Sequence, residues 1–365
     1  MKLILSDKPL NLTVNDSQQI KVIDLSALNI HNCVGCFGCW TKTPGRCVIR
    51  DDAVTVYPLI ARSDAVVYVS RIKYGGYDTV MKTMLERAIP VQQAFIRLVD
   101  GETHHVQRAV VPKDALILAY GTTSPEEAGA VPAAGGPERP QHELQNLQDP
   151  VPRRRGAGGA GTERGGKMGS ILILNGSPRP PRSNSKRYAK LFMDCCKADY
   201  CDITKANHQA LCAKMEGYSD LVFVFPLYAD GLPVTLLNFL KALEAHPPSR
   251  KPTVSVLINC GFLEYTQNDA AVNMMALFCK QNGYRLGSVL KLGSGEAILD
   301  SPFRFLAAGS IKKFARSVER GRYASFHATM PLPKSLFLKA STTYWTNYGK
   351  RNGVSKEEME TMKIE

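Results

Sequence analysis

"GSILILNGSPRPPRSNSKRYAKLFMDCC", Gly169–Cys196, decides how this chain folds. It opens on a short apolar run, turns through a loop of Gly, Ser, Pro and Arg, and resumes at helical periodicity, a β-loop-α opening. The alternation continues downstream: "DYCDIT", a helix near residues 207–216, "DLVFVFPLYADG", a helix over "LPVTLLNFLKALEA", "TVSVLINCG", a helix over "NDAAVNMMALFCKQNG", and "RLGSVLKLG". Strands separated by helices in this way predict an α/β, doubly wound parallel sheet. "LVFVF" and "VSVLI" are apolar on both faces, as a sheet covered by helices on both sides requires.

Working outward, the first half repeats the scheme in damaged form. "SDAVVYVSRIKYGGYDTVMKTMLERAIP" matches "SDLVFVFPLYADGLPVTLLNFLKALEAHP" when Gly76 is set against Gly231 and Leu85 against Leu240, so the chain reads as two copies of one fold. The first copy passes from "MKLILSD" to "QQIKVIDLS" in about a dozen residues, which leaves no room for a loop and a helix, and it stops after its fourth strand, "DALILAYG". Between the copies, Glu126 to Lys167 has no aromatic residue and no isoleucine and is dense in Gly, Pro and Ala. Such a stretch cannot bury enough apolar surface to offset its ordering entropy, and it reads as a disordered linker. Its abrupt start after "LILAYG" also fits a frameshift that overwrote the end of the first copy. The expected organisation is a degenerate first domain at 1–124, a linker at 125–167, a second domain at 168–300 and a basic helical extension at 301–365.

At 365 residues the chain is long enough for two domains, each with its own core. The N-terminus "MKLILSDKPL" lacks the apolar run of a signal peptide and no later segment is long enough to span a bilayer, so a cytoplasmic location with reduced thiols is expected, without a membrane partner. The formal charge of +13 peaks after residue 303, where lysines and arginines alternate with apolar residues at helical spacing. That is the solvated face of a packed helix rather than a nucleic-acid surface.

In an open parallel sheet, ligands bind beyond the carboxyl ends of the strands, where "NGSPRPPRSNS" falls. Backbone N–H groups, the hydroxyls of Ser177, Ser183 and Ser185, and the start of a helix near Asn184 suit an anion such as phosphate. Neither a Walker lysine pattern nor GxGxxG is present, which argues against a nucleotide triphosphatase and a dinucleotide site. "FPLYADGLP" (Phe225–Pro233) and "NCGFLEYTQ" (Asn259–Gln267) leave neighbouring strands at the same rim. The three loops together suit a flat heteroaromatic ring carrying one phosphate.

The set "GSPRPPRSNS", "FPLYADGLP" and "NCGF" resembles the flavodoxin-like NADPH-dependent FMN reductase family, over residues 169 to roughly 295. The resemblance implies two flavodoxin-like units, the first truncated, and an FMN-dependent NAD(P)H oxidoreductase or electron-transfer flavoprotein. It implies that Ser177, Arg179, Ser183, Asn184 and Ser185 hold the FMN phosphate, and that Pro226, Leu227, Tyr228, Asp230, Gly231, Asn259, Cys260 and Gly261 line the ring. Tyr228, beside the ring, is the candidate for substrate contact; aromatic packing at a loop is the plainer alternative. NAD(P)H would be the reductant, a small-molecule electron acceptor or a redox protein the partner, and a homodimer the assembly. Arg71 and Lys73 stand where Pro226 and Tyr228 stand in the second copy, so the first copy is not expected to hold its own flavin.

"CVGCFGCWTKTPGRC" spaces Cys33, Cys36, Cys39 and Cys47 as C-x2-C-x2-C-x7-C. Short gaps let successive thiolates face one centre, with the fourth ligand arriving past a turn. Zinc sites more often pair separated CxxC units or use histidine. With "VIRDD" and "KYGGY", the stretch resembles the cluster motif of iron–sulfur flavoproteins, members of the same superfamily with a 4Fe-4S cluster beside FMN. Zinc and packed, inert thiols remain open as alternatives. A noncatalytic flavin-binding scaffold with a structural zinc or free-thiol first domain is the alternative function. Cys195, Cys196, Cys201, Cys212 and Cys279 lie on apolar faces and read as core residues, whereas His104 and His105 have no spaced partner and read as surface.

Overall fold

The computed structural model describes residues 1–13, 19–121, 125 and 170–364. Apart from Pro125, the expected linker at 125–167 and the frameshift reading of it lie outside the described residues. The first half runs β1 (Lys2–Ser6), β2 (Ile20–Asp24), α1 (Gly38–Thr41), α2 (Ala53–Arg62), β3 (Ala65–Lys73), β4 (Gly76–Tyr77), α3 (Thr79–Arg87), β5 (Gln92–Val99), β6 (Glu102–Gln107) and β7 (Asp114–Tyr120). The second runs β8 (Ile171–Asn175), α4 (Asn184–Met193), β9 (Asp199–Asp202), α5 (His208–Lys214), β10 (Asp220–Pro226), α6 (Val234–Ala245), β11 (Thr253–Asn259), α7 (Asp269–Gln281) and β12 (Leu286–Leu292). It continues with α8 (Arg304–Glu319), β13 (Ser325–Ala328), α9 (Lys334–Arg351) and α10 (Lys356–Thr361).

The second sheet is parallel throughout, in the order β9-β8-β10-β11-β12-β13. Its strands alternate between two cores, because successive side chains of a strand point to opposite faces. Leu172, Leu174, Phe223 and Phe225 meet α6 and α7, while Ile171, Ile173, Val222 and Val224 meet Tyr188 and Phe192 of α4 and Ile311 and Phe314 of α8. Cys196, Cys212 and Cys279 are buried in these layers, with Cys195 and Cys201 packed at their margins. The extension at 301–365 is not purely helical: it supplies β13, a further strand on the sheet edge, and α8, which covers one face. Among the described residues no helix is long and apolar enough to cross a membrane.

The first sheet is the same fold with one face clothed. β2, β1, β3 and β7 pair in parallel, and β4 folds back on the end of β3. Leu3, Leu5, Val66 and Tyr68 pack under Val56, Tyr57 and Ile60 of α2 and Met81 and Met84 of α3. The opposite face is the one that α4 and α8 cover in the second half, and the described residues of the first half include no counterpart of either helix. Leu116 and Leu118 of β7 are accordingly 54% and 49% exposed.

The two halves meet across an internal pseudo-twofold axis. Gly76 and Gly231, Thr79 and Val234, and Glu86 and Lys241 stand at matching positions, and their contacts are reciprocal. Glu86 Oε1 accepts from the Val234 amide at 2.9 Å, while Lys241 Nζ lies 2.6 Å from Asp78 Oδ1 and 3.4 Å from Thr79 Oγ1. Each half carries a tight turn here with two residues in the left-handed region: Tyr74 (φ 55°) and Gly75 (φ 78°), then Ala229 (φ 42°) and Asp230 (φ 54°). Tyr74 belongs to the core of the second half, edge-on to Phe278 with ring centroids 5.2 Å apart.

The β5–β6 hairpin, with its turn at Asp100 and Gly101, ties the halves together elsewhere. Thr103 donates its amide to Glu264 at 3.1 Å, and Gln267 Nε2 donates to the Thr103 carbonyl at 2.9 Å. His105, expected at the surface, instead lies in an aromatic cluster, 4.7 Å from the Trp40 ring and 5.3 Å from the Phe262 ring. The basic tail lands on this cluster: Trp345 of α9 packs edge-on to Trp40 at 5.3 Å, and Arg108 donates to the carbonyls of Met359 and Met362 at 2.8 and 2.9 Å.

Burial lowers the His105 pKa to about 4. The folded protein holds it neutral, whereas the unfolded chain protonates it below about pH 6.5, so stability falls as pH drops through that window. Between pH 7 and 4.5 we expect His105→Phe to lose about 2 kcal/mol less stability than the parent in denaturant titrations; equal losses refute the assignment.

Candidate functional site

The three predicted loops converge at the carboxyl ends of β8, β10 and β11. Asn175, the last residue of β8, organises the first: its Oδ1 accepts from the Ser177 amide at 3.1 Å, and its Nδ2 lies 3.3 Å from Ser183 Oγ and 3.0 Å from Asp202 Oδ1. Ser183 caps α4 by accepting from the Lys186 amide at 3.1 Å. Ser177, Ser183 and Ser185 are all buried. Asn259, at the end of β11, joins the loops: its Nδ2 donates to Ser185 Oγ at 3.3 Å and to the Phe225 carbonyl at 3.1 Å, and its carbonyl accepts from Leu227 N at 2.7 Å.

The remaining phosphate candidates point at an anion supplied by the chain itself. Arg179 lies 3.5 Å from Glu296 Oε1, Asn184 Nδ2 donates to Glu296 Oε2 at 3.0 Å, and Tyr344 OH reaches Oε1 at 3.4 Å. Burial holds the Glu296 carboxyl above its ordinary pKa, against the pull of Arg179. On the ring side, Pro226, Leu227 and Tyr228 are half-buried and Asp230 is exposed at the turn tip. Gly231 is packed, since a side chain there would come within 3.2 Å of Met274 Sδ, whereas one at Gly261 would meet nothing within 4 Å. Cys260 turns its thiol inward, toward the Glu264 carbonyl and Asn268, and burial pushes its pKa up to about 12.

The cysteine loop of the first half sits on this rim. Cys33 Sγ is 3.0 Å from Tyr228 OH, and a side chain at Gly35 (φ 61°) would lie 3.7 Å from both Tyr228 OH and Arg179 Cδ. The Arg179 guanidinium stacks over Phe37 at 4.5 Å, and Phe37 lies flat on Trp40 at 5.4 Å. Arg87, almost wholly buried, staples the loop at both ends. It donates to the His31 carbonyl at 2.8 Å and the Ile49 carbonyl at 3.1 Å, and it pairs with Asp51 at 2.6 Å. Sequence reasoning missed Arg87, Glu296 and the Phe37–Trp40 stack, although "VIRDD" marked the place where Asp51 meets Arg87.

The four sulfurs share one electrostatic neighbourhood. Burial pushes the Cys33 pKa up to about 11 and that of Cys39 well above its ordinary value, with Cys33, Cys47 and Cys36 raising the latter further. Cys36 is exposed, and Cys39 and Cys47 are buried. Among the described residues no group of three or more His, Cys, Asp or Glu side chains is gathered to hold a single metal ion. A cleft of about 400 Å³ opens between this loop and the phosphate loop, lined by His31, Cys33, Arg50, Pro178, Thr204 and Thr235 among others. The matching rim of the first sheet is closed: the Asp7 carboxylate accepts from Arg71 N at 2.7 Å, Ser70 Oγ at 3.1 Å and Tyr120 OH at 2.6 Å.

No family model matches the chain. Over 84 residues it is 33% identical to an iron–sulfur flavoprotein of Archaeoglobus fulgidus, a match covering 23% of this chain and 37% of that protein. Over 92 residues it is 25% identical to an iron–sulfur flavoprotein of Methanocaldococcus jannaschii, covering 25% of this chain and 47% of that one. The chain thus spans less than half the length of the curated relatives it matches. These relatives bear out the family resemblance read from the sequence. Among solved structures, an NAD(P)H:quinone oxidoreductase from Methanothermobacter marburgensis is 13% identical with a TM-score of 0.34, covering 42% of this chain and 96% of that one. A likeness that distant carries no argument.

In the reduced, metal-free protein we expect iodoacetamide to modify Cys36 well before Cys33 and Cys39, because the thiolate is the nucleophile and burial suppresses it. Peptide mass spectrometry over time reads the order, and early labelling of Cys39 contradicts it.

Proposed function

We propose that the chain is an electron-transfer flavoprotein with NAD(P)H as reductant. FMN would lie on the rim of the second half and a 4Fe-4S cluster on Cys33, Cys36, Cys39 and Cys47 of the first. The contact that carries this reading is Cys33 Sγ against Tyr228 OH at 3.0 Å, because it places the thiol loop of one half on the ring-side loop of the other. A first half without its own flavin thereby has one to serve.

The residues fit both groups. Arg179 and Asn184 already gather a carboxylate at the start of α4, which supports an anion site there, and a bound phosphate would displace Glu296. Open space at Gly261 and the turn at Tyr228–Gly231 border the place for a flat ring. For the thiols, zinc sites more often pair separated CxxC units or use histidine, which the spacing here does not do. A cubane takes each thiolate on a different iron, and the C-x2-C-x2-C-x7-C spacing of Cys33, Cys36, Cys39 and Cys47 supports that reading. Flavin, when bound, supplies the exchange between two-electron and one-electron chemistry. The chain's own residues hold the phosphate end, orient the ring with the Tyr228 turn, and exclude water through the Phe37, Trp40 and Trp345 cluster.

Anaerobic purification with flavin, iron and sulfide assays tests the assignment. We expect oxidised-flavin bands that bleach with NADPH, and iron and sulfide in equal amounts with a shoulder near about 400 nm. Cys39→Ser should lose the iron and keep the flavin. Zinc without sulfide supports the scaffold alternative, and a colourless protein that refuses micromolar FMN overturns the flavin reading. Glu296→Gln, by weakening the internal anion, should tighten FMN about fivefold, the equivalent of roughly 1 kcal/mol for an ion pair whose side chains are 27% and 25% exposed.

A further inference from the structure

Helix α3 belongs to the first half, yet two of its side chains point into the ring-side turn of the second. Lys82 and Glu86 are one helical turn apart and almost wholly buried, with Lys82 Nζ 3.1 Å from Glu86 Oε1. The same ammonium donates to the Tyr228 carbonyl at 2.5 Å, and its stem lies 3.5 Å from where a side chain at Gly231 would start. Burying a charged pair is expensive, and packing alone does not call for it here. By the internal symmetry that sets Gly76 against Gly231, the position equivalent to Lys82 is Leu237, fully buried in the core of the second half. A leucine serves that place in one helix; a lysine stands in the other.

What differs between the two places is the turn each faces. The first-half turn uses Tyr74 and Gly75, and glycine adopts the left-handed region at no steric penalty. The second-half turn puts Ala229 and Asp230 there, and alanine meets a steric penalty in that region. A pair of hydrogen bonds closes it internally, Tyr228 N to Gly231 O at 3.1 Å and Gly231 N to Tyr228 O at 3.2 Å. Lys82 engages the same Tyr228 carbonyl from outside, while Glu86 holds Lys82 and accepts from the amide of Val234, where α6 begins.

We propose that Lys82 is a positioning residue for the ring-side turn: supplied by the first half, it clamps the Tyr228 carbonyl and holds Tyr228–Gly231 in the strained form that borders the ligand ring in the second. The inference rests on the ring-binding reading for its functional consequence, but the clamp itself is measurable without flavin.

Lys82→Met alone leaves Glu86 buried without its partner and risks unfolding, so the informative variant is Lys82→Met with Glu86→Gln, which keeps an acceptor for the Val234 amide. In the full-length, flavin-free chain, hydrogen exchange should speed up at least tenfold at the Tyr228 and Gly231 amides and stay at the parent rate across Leu237–Leu240 of α6. FMN should bind at least tenfold more weakly. Parent-rate exchange at the turn overturns the clamp, and so does exchange that accelerates equally along α6, which would make the pair a general interface support. If the turn loosens as expected but the parent protein takes up no FMN, the clamp stands and the flavin reading falls.

Discussion

Two helices of one sequence pattern, Thr79–Arg87 and Val234–Ala245, lie against each other, and their packing sets the geometry of everything on the shared rim. The reciprocal contacts of Glu86 with Val234 and of Lys241 with Asp78 and Thr79 give an isologous interface inside one chain. Because the halves cannot slide without breaking both sets together, the loop carrying Cys33 is held against Tyr228. Arg87, on the same helix α3, fixes the far side of that loop through Asp51 and two carbonyls. One helix therefore reaches the thiols with its last residue and the ring-side turn with Lys82.

The charges on this helix divide between stability and placement. Breaking a buried pair by removing one partner strands a charge in a low-dielectric site, so such pairs persist where geometry matters more than net gain. Asp51 meets Arg87 in that manner, and the guanidinium holds its carboxyl below the ordinary range despite burial. Glu296 at the rim of the second half and Asp7 at the rim of the first play a parallel part, each a carboxylate gathered by residues at the carboxyl end of its sheet. The difference is that Asp7 is locked by an amide and two hydroxyls, while Glu296 is held by the side chains of Arg179, Asn184 and Tyr344.

Much of the second half is legible because its strands are apolar on both faces and its helices carry a strong period, so "LVFVF" and "VSVLI" admit one reading. The loop residues Ser177, Ser183, Ser185 and Asn259 follow from position at the strand ends. What escapes is whatever depends on partners far away in the chain. Lys82 and Glu86 look like an ordinary solvated helix pair until α6 is laid against them. His105 reads as exposed unless the β5–β6 hairpin, marked only by Asp100-Gly101, is recognised; an Asp-Gly pair between alternating runs is the available signal. Strand β13 is four residues long and sits among basic helices, too short for periodicity to declare it. The tail's contacts with Trp40 and Arg108 are likewise invisible, since aromatic clustering between residues so distant in the chain leaves no local pattern.

The half-clothed first sheet has a consequence for the order in which this chain comes to its fold. Ribosomal synthesis delivers the N-terminal half first, with Leu116 and Leu118 bare on one surface and the α3 surface still waiting for Val234–Ala245. The half with the larger core, two-sided and covered, arrives last. Vectorial emergence and intrinsic durability thus run in opposite directions, and the early segment must be kept from unwanted strand pairing until its later counterpart leaves the exit tunnel.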